Sequence, residues 1–375
     1  MSTRDDELEA IELVRVRVPM RRDRRAAHGA MPGAREVVLV RAIAADGAEG
    51  WGECSALESG AYAGEHTQAA WEALRDLVAP AALSAGRNRP IGHPMASAAV
   101  DVAVTDLRLR QRGTSLAEAL GCDPARVRPL AWTAVVGLHD DVDDVVAEVA
   151  EARARGAAAV KLKVQPGWDL EPVGALRAAH PDLHVAVDAN GSYGRVDTDV
   201  LVELAQLLVG AEGYIEQPLP AEDLPGLVAL GERLPVRVAL DESIVSATDA
   251  GVVGALGARG LVNVKPARLG GVSSTRALAE LVAGLRRKRR PETFLGGMYE
   301  TGVGRWAALT LGALTVTRAE TDLGPSAWYF DDDLTDPVEL TADGLLPSVR
   351  GPGMTLAPRP ERLAEVAVAR ELVRR

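Results

Sequence analysis

Cysteine is scarce. Only Cys54 and Cys122 occur in 375 residues, too few for a disulfide framework or a zinc cluster. No apolar run reaches the roughly 18 residues that a membrane-spanning helix needs, and no charged-then-apolar leader opens the sequence. Glycine and proline number 37 and 22, yet no three-residue period organises them, which excludes a collagen-like fibre. Positive charge is the minority sign. Against 53 acidic side chains stand 42 basic ones, and the formal net charge of -11 repels a phosphate backbone. A local basic pocket for a small anion stays compatible with that balance. The expectation is a cytoplasmic protein with no nucleic-acid and no membrane partner.

An apolar fraction of 47% beside 25% charged residues excludes wholesale disorder. One core rarely grows past roughly 250–300 residues, so a large domain with a smaller companion is expected. Residues 11–18, 37–44 and 50–54 alternate or run apolar as strands, with Asp46-Gly47 as a turn. Helices are expected over 65–78, over 94–111 from Pro94 to before Gly113, and briefly over 115–120. A loop rich in Arg, Ala and Gly spans residues 21–35. Together these make an α+β unit, residues 1–126. From Val127 the texture changes to apolar strands alternating with Ala/Leu/Glu/Arg-rich helices, which implies an α/β unit with a parallel sheet covered outside. Strands are expected at 130–136, 159–164, 183–188, 213–216, 236–241 and 261–265, and the seventh and eighth at 293–296 and 312–317. The clearest helices are 142–155, 200–208 and 274–285. This unit ends near residue 330, and residues 331–375 run back over the structure, closing with an amphipathic helix from Pro360.

The polar residues ending these strands carry the chemistry. Lys163, Asp188, Glu216, Asp241 and Lys265 stand 25, 28, 25 and 24 residues apart, about one strand-helix unit per step. Near-equal steps fit a closed barrel better than a doubly wound sheet, and C-terminal strand ends of a barrel converge on one mouth. A lone strand-end Asp ordinarily caps a helix, and a lone lysine ordinarily neutralises a carboxylate. Three carboxylates meeting at one mouth would repel each other unless compensated. A hard divalent cation answers that. Magnesium suits oxygen ligands, whereas zinc would want Cys or His beside them. Lys161 shares a strand face with Lys163, one layer deeper. Neighbouring positive charge and burial are expected to depress the lysine pKa values, so that one serves as a general base near neutrality. The arrangement suits removal of an α-proton from a carboxylate substrate.

The matching text is KLKVQPGWD (161–169), VDANGSY (187–193), EQPL (216–219), LDESI (240–244), VKPARLGG (264–271), GGMYETGVGR (296–305) and DLGPSAWYF (322–330), with WGEC (51–54) and residues 92–113 upstream. On these residues the chain resembles the enolase superfamily, whose use of Lys or His bases with Mg2+ is a standard example of such tuning. It is most similar to the muconate-lactonising-enzyme-type subgroup and, within it, to the o-succinylbenzoate synthase/N-succinylamino acid racemase family. The resemblance implies an enolase-type α+β capping domain followed by a modified TIM barrel, (β/α)7β. It implies one Mg2+ (Mn2+ able to substitute) on Asp188, Glu216 and Asp241, with Lys163 as acid/base and Lys265 as the opposing lysine. Lys161, Asn190, Glu242 and Arg268 are supporting candidates; Gly297, Met298 and Ser326 are substrate-binding candidates. A small succinylated carboxylate, a cap loop closing over it and a homo-oligomer are also implied.

The reaction expected first is dehydration of 2-succinyl-6-hydroxy-2,4-cyclohexadiene-1-carboxylate to 2-succinylbenzoate, a step of menaquinone synthesis. N-succinylamino acid racemisation uses the same first step, and Arg268, three residues after Lys265, matches members capable of it. Muconate cycloisomerisation, dipeptide epimerisation and a non-catalytic metal-binding scaffold fit less well. Some neighbours depart from the family pattern: Tyr299, Trp306-Ala307-Ala308, the ETDLGPS run and Trp328. Arg21, Arg22, Arg24 and Arg25 of the cap loop either steer a dicarboxylate or face solvent.

Overall fold

The computed structural model describes residues 7–31, 33–88, 92–210, 212–249, 254, 257 and 260–375. The polar opening, residues 1–6, and Pro32 of the cap loop lie outside that set. Long apolar alternation gives β1 (Leu8–Pro19) and β4 (Ala34–Ala44), with a small hairpin, β2 (Arg24–Ala26) and β3 (Gly29–Met31), between them; β5 (Glu49–Cys54) follows the Asp46-Gly47 turn. β1, β4 and β5 pair antiparallel, and the helix Pro94–Gln111 lies on β4 and β5. Gly50 and Gly52, two apart on one face of β5, permit that contact. A Cβ on either would run into the helix backbone at Ala103 or Ala99.

Eight further strands close a parallel barrel: β6 (Leu130–Val136), β7 (Ala159–Lys163), β8 (His184–Asp188), β9 (Tyr214–Glu216), β10 (Arg237–Leu240), β11 (Gly260–Val264), β12 (Glu292–Leu295) and β13 (Glu320–Thr321). β13 pairs back with β6, so the sheet has no free edge along this ring. Helices such as Val142–Ala154, Leu170–Ala179, Thr198–Leu208 and Leu224–Arg233 cover the outside. The fold is therefore the α+β cap and closed eight-stranded barrel anticipated. The eighth strand is not where the β-prone residues 312–317 suggested. Those belong mostly to the buried helix Gly302–Thr315, and the true strand is two residues long, too short to leave an apolar run. The tail also differs: the helix Pro360–Val366 gives way to β15 (Ala367–Arg374), which pairs antiparallel with β1 after the short β14 (Leu345–Leu346) has paired with β6.

Buried charge fastens cap to barrel. The Glu53 carboxylate accepts from Thr301 N at 3.1 Å, Gly304 N at 3.0 Å and the Thr301 and Ser55 hydroxyls, at the start of the helix Gly302–Thr315. Burial, reinforced by the nearby Glu300 carboxylate, outweighs those bonds and pushes Glu53 up to about 7 from its ordinary 4.5. An acid raised on folding holds its proton longer in the native state. Its contribution is complete below about pH 4.5 and is lost as pH rises through about 7. Melting temperatures measured from pH 4.5 to 8 are thus expected to fall less for Glu53→Gln than for the parent chain; parallel curves would count against this assignment.

The cap loop is tied down as well. Arg24 is 3% exposed, not solvent-facing. Its guanidinium lies against the Trp328 and Tyr329 rings and pairs with Glu148 at 2.8 Å; Arg22 joins Glu148 and Glu151. Arg21 and Arg25 contact Asp331 and Asp140 at the surface. Of these four arginines, Arg22 and Arg24 are spent on holding the loop to the barrel.

Candidate active site

Strand register sets the geometry. Lys163, Asp188 and Glu216 are cross-strand partners at the ends of β7, β8 and β9, so their side chains start from one level. Asp241 and Lys265 follow the last residues of β10 and β11. All five are nearly inaccessible. Lys163 Nζ donates to Asp188 Oδ2 at 2.7 Å and Asn190 Oδ1 at 2.8 Å. Lys265 Nζ donates to Asp241 Oδ2 at 2.8 Å and the Tyr62 hydroxyl at 3.0 Å. Beneath them Lys161 Nζ bridges Glu216 at 2.7 Å and Asp322 at 2.5 Å.

Asn190 Nδ2 donates to Glu242 Oε1 at 2.9 Å, and Arg268 contacts Asp241 Oδ1 at 2.7 Å while donating to the Tyr62 hydroxyl. Lys161, Lys163, Lys265, Asn190, Gly297 and Met298 all face one cavity. Ser326 does not line it: its hydroxyl donates to Asp333 at 2.6 Å and ties the last barrel loop to the tail. Asn190 and Tyr299 hold φ values of 45° and 57°, left-handed conformations stabilised only by their surroundings.

The lysine pKa expectation is corrected. Burial is the largest single influence and works against both ammonium groups, but the neighbouring acids together, led by Asp188 at Lys163 and by Asp241 at Lys265, outweigh it and raise both. The carboxylates respond unequally. Burial opposes ionisation of Asp241, yet Arg268 and Lys265 hold it well below the carboxylate range. Glu216 is pushed up to about 8, first by burial and then by Asp188, Asp241 and Asp322, despite Lys161.

Asp188 and Asp241 are thus shifted down by the cations beside them, and Glu216 alone of the three is raised, chiefly by burial. Among the described residues, no three metal-ligating side chains are gathered closely enough to hold an ion as they stand. Each of the three acids is instead drawn to an amine. The donor set still fits a hard cation: it offers oxygen only, and buried Glu242 Oε2 and Asp322 Oδ1 beside it have no hydrogen-bond partner.

Sequence reasoning missed Tyr62 and His28, which reach the cavity from the cap, and Asn263, which donates to Glu216 at 2.8 Å. Asn263 lies on β11 two residues before Lys265, which follows that strand, and that spacing was a usable signal. The cap residues had none, because only folding brings those loops to the barrel mouth.

Residues 144–362 match the family described as enolase C-terminal domain-like, more than half of the chain. The chain belongs to the enolase superfamily. It falls in the muconate-lactonising-enzyme-type subgroup, where a buried Lys/Asp/Glu network at the C-terminal barrel face marks an active enzyme. The N-succinylamino acid racemase of Amycolatopsis sp is 36% identical over 97% of this chain and 98% of its own length. The o-succinylbenzoate synthase of Bacillus subtilis (strain 168) is 33% identical over 85% of this chain and 86% of its own. A solved structure described as a probable mandelate racemase from Alicyclobacillus acidocaldarius superposes with a TM-score of 0.84 at 33% identity, covering 98% of this chain and 99% of that one. Membership of this superfamily implies a divalent-metal-dependent mechanism. No helix among the described residues is long and apolar enough to cross a membrane.

Proposed function

We propose that this enzyme removes the α-proton of a succinylated carboxylate and that its principal reaction is formation of o-succinylbenzoate. The supporting observation is that Lys163 and Lys265, from strands well apart in the ring, line one cavity with the acid cluster between them. The chain contains only four lysines; Lys161, Lys163 and Lys265 are here, and Lys288 is exposed. Arginine serves every other basic position. Since arginine does not deprotonate in proteins, retaining lysine at this site fits a need for proton exchange.

Asp188, Glu216 and Asp241 would hold one magnesium ion. Bound there, it would take up the carboxylate charge that now raises both lysines and stabilise negative charge growing on the substrate carboxylate. Asp188 and Asn190 aim the Lys163 amine, and Lys161, locked between Glu216 and Asp322, keeps a fixed positive charge one layer below. Lys163 takes the α-proton; the carbon–hydroxyl bond then breaks, the Lys163 proton leaves with that oxygen as water, and the ring becomes aromatic. Lys265, donating to the Tyr62 hydroxyl, serves as a cation that needs only to sit over the ring.

Racemisation of N-succinylamino acids is the second reading, favoured by the placement of Arg268 against Asp241 and Tyr62 beside Lys265. There, Lys163 and Lys265 would exchange protons on opposite faces of one carbon. Ultraviolet detection of o-succinylbenzoate beside polarimetry on N-succinylamino acids decides between them. Aromatic product is expected; brisk racemisation without it would reverse the order.

A further inference from the structure

The β2–β3 hairpin ends in the two-residue turn Ala27-His28, closed by pairing of Ala26 with Gly29, whose φ of 130° suits glycine. Barrel contacts fix this tip. Arg24 is clamped by Glu148, Trp328 and Tyr329; Leu138 N donates to Arg25 O at 2.9 Å; Gly137 lies so close that an added Cβ would be 3.0 Å from that oxygen. The clamped hairpin carries His28 over the mouth. Its ring packs edge-on against Tyr62, 5.1 Å between centroids, and lines both the catalytic cavity and the adjoining one between hairpin and residues 57–59. Among the described residues its ring nitrogens make no hydrogen bond, although it lines the cavity together with Lys163, Lys265 and Asp188. An imidazole ring carries at least one N–H, so His28 has a donor to offer the cavity.

We propose that His28 is a substrate-contacting specificity residue whose ring N–H donates to the first carbonyl of the succinyl arm. This rests on the functional reading above. In both proposed substrates that carbonyl carbon stands two bonds from the reacting carbon, one as a ketone and the other as an amide, so one donor beside the two lysines serves either. Tyr62 supports one side of the ring, and the clamped hairpin fixes its height.

The test is calorimetric binding, with magnesium present, of o-succinylbenzoate and of 2-(3-carboxypropyl)benzoate, which keeps both carboxylates and replaces only the ketone by a methylene. The parent chain is expected to prefer the ketone by about tenfold, the weight of one good hydrogen bond. His28→Phe keeps a ring against Tyr62 and is expected to lose that preference while binding the methylene compound as before. His28→Gln, which restores an N–H, is expected to retain more of it. A His28→Phe chain that keeps the preference, or weakens both ligands alike, would overturn the assignment, as would Phe outperforming Gln. If the parent chain bound neither ligand, the functional reading would fail, and this inference with it.

Discussion

Lys163→Ala is expected to lower turnover roughly 10³-fold, within the range by which a positioned acid/base accelerates proton transfer. Magnesium binding should survive, because Lys163 neighbours the ligand candidates without being one: its Nζ donates to Asp188 and Asn190. Removing it also relieves Asp188 of a competing partner. Exchange of substrate α-hydrogen in D2O, followed by proton NMR, reads the chemical step, and calorimetry reads the ion. Near-parent exchange in this variant would refute the assigned base. Lys265→Ala divides the two reactions. It should abolish racemisation yet leave measurable synthase turnover, since only racemisation asks Lys265 to transfer a proton.

Glu216→Ala should cost both the ion and the reaction. Glu216 is completely buried and pushed up to about 8, chiefly by burial and then by three neighbouring carboxylates. A cation relieves that strain, so magnesium should stabilise the native chain. At about 100 times its dissociation constant the linkage is roughly 2.7 kcal/mol, about 3 °C in melting temperature for a chain of this size. EDTA should reverse the shift and stop turnover in the parent. Glu216→Ala should show little shift at the same magnesium concentration, and Lys163→Ala should show the full one. Equal shifts in all three chains would place the ion elsewhere.

Much of this site was legible because barrel arithmetic is local. Each strand-helix unit consumes about 25 residues, and the polar residue ending a strand must appear at the mouth, so the spacing of Lys163, Asp188, Glu216, Asp241 and Lys265 points to that mouth from the sequence. The last strand was not legible. Glu320–Thr321 is two residues with no apolar run, while residues 312–317, rich in β-formers, complete a helix whose buried face packs on the barrel. Tyr62 and His28 were hidden for another reason. Their loops carry no periodicity, and their nearness to Lys265 depends on how the whole cap docks. The lysine pKa direction failed because burial and neighbouring amines were weighed without the surrounding acids, led by the carboxylates 2.7–2.8 Å away, which together outweigh burial in the folded chain. Ser326 shows a limit of motif reading: its segment is in place, but its hydroxyl serves the tail.

A crystal structure of the magnesium-loaded enzyme with o-succinylbenzoate bears most directly on all of this. The account predicts one ion about 2.1 Å from oxygens of Asp188, Glu216 and Asp241, with the Lys163 and Lys265 amines on opposite faces of the bound ring. Both amines on one face, or acids turned away from a shared ion, would contradict it.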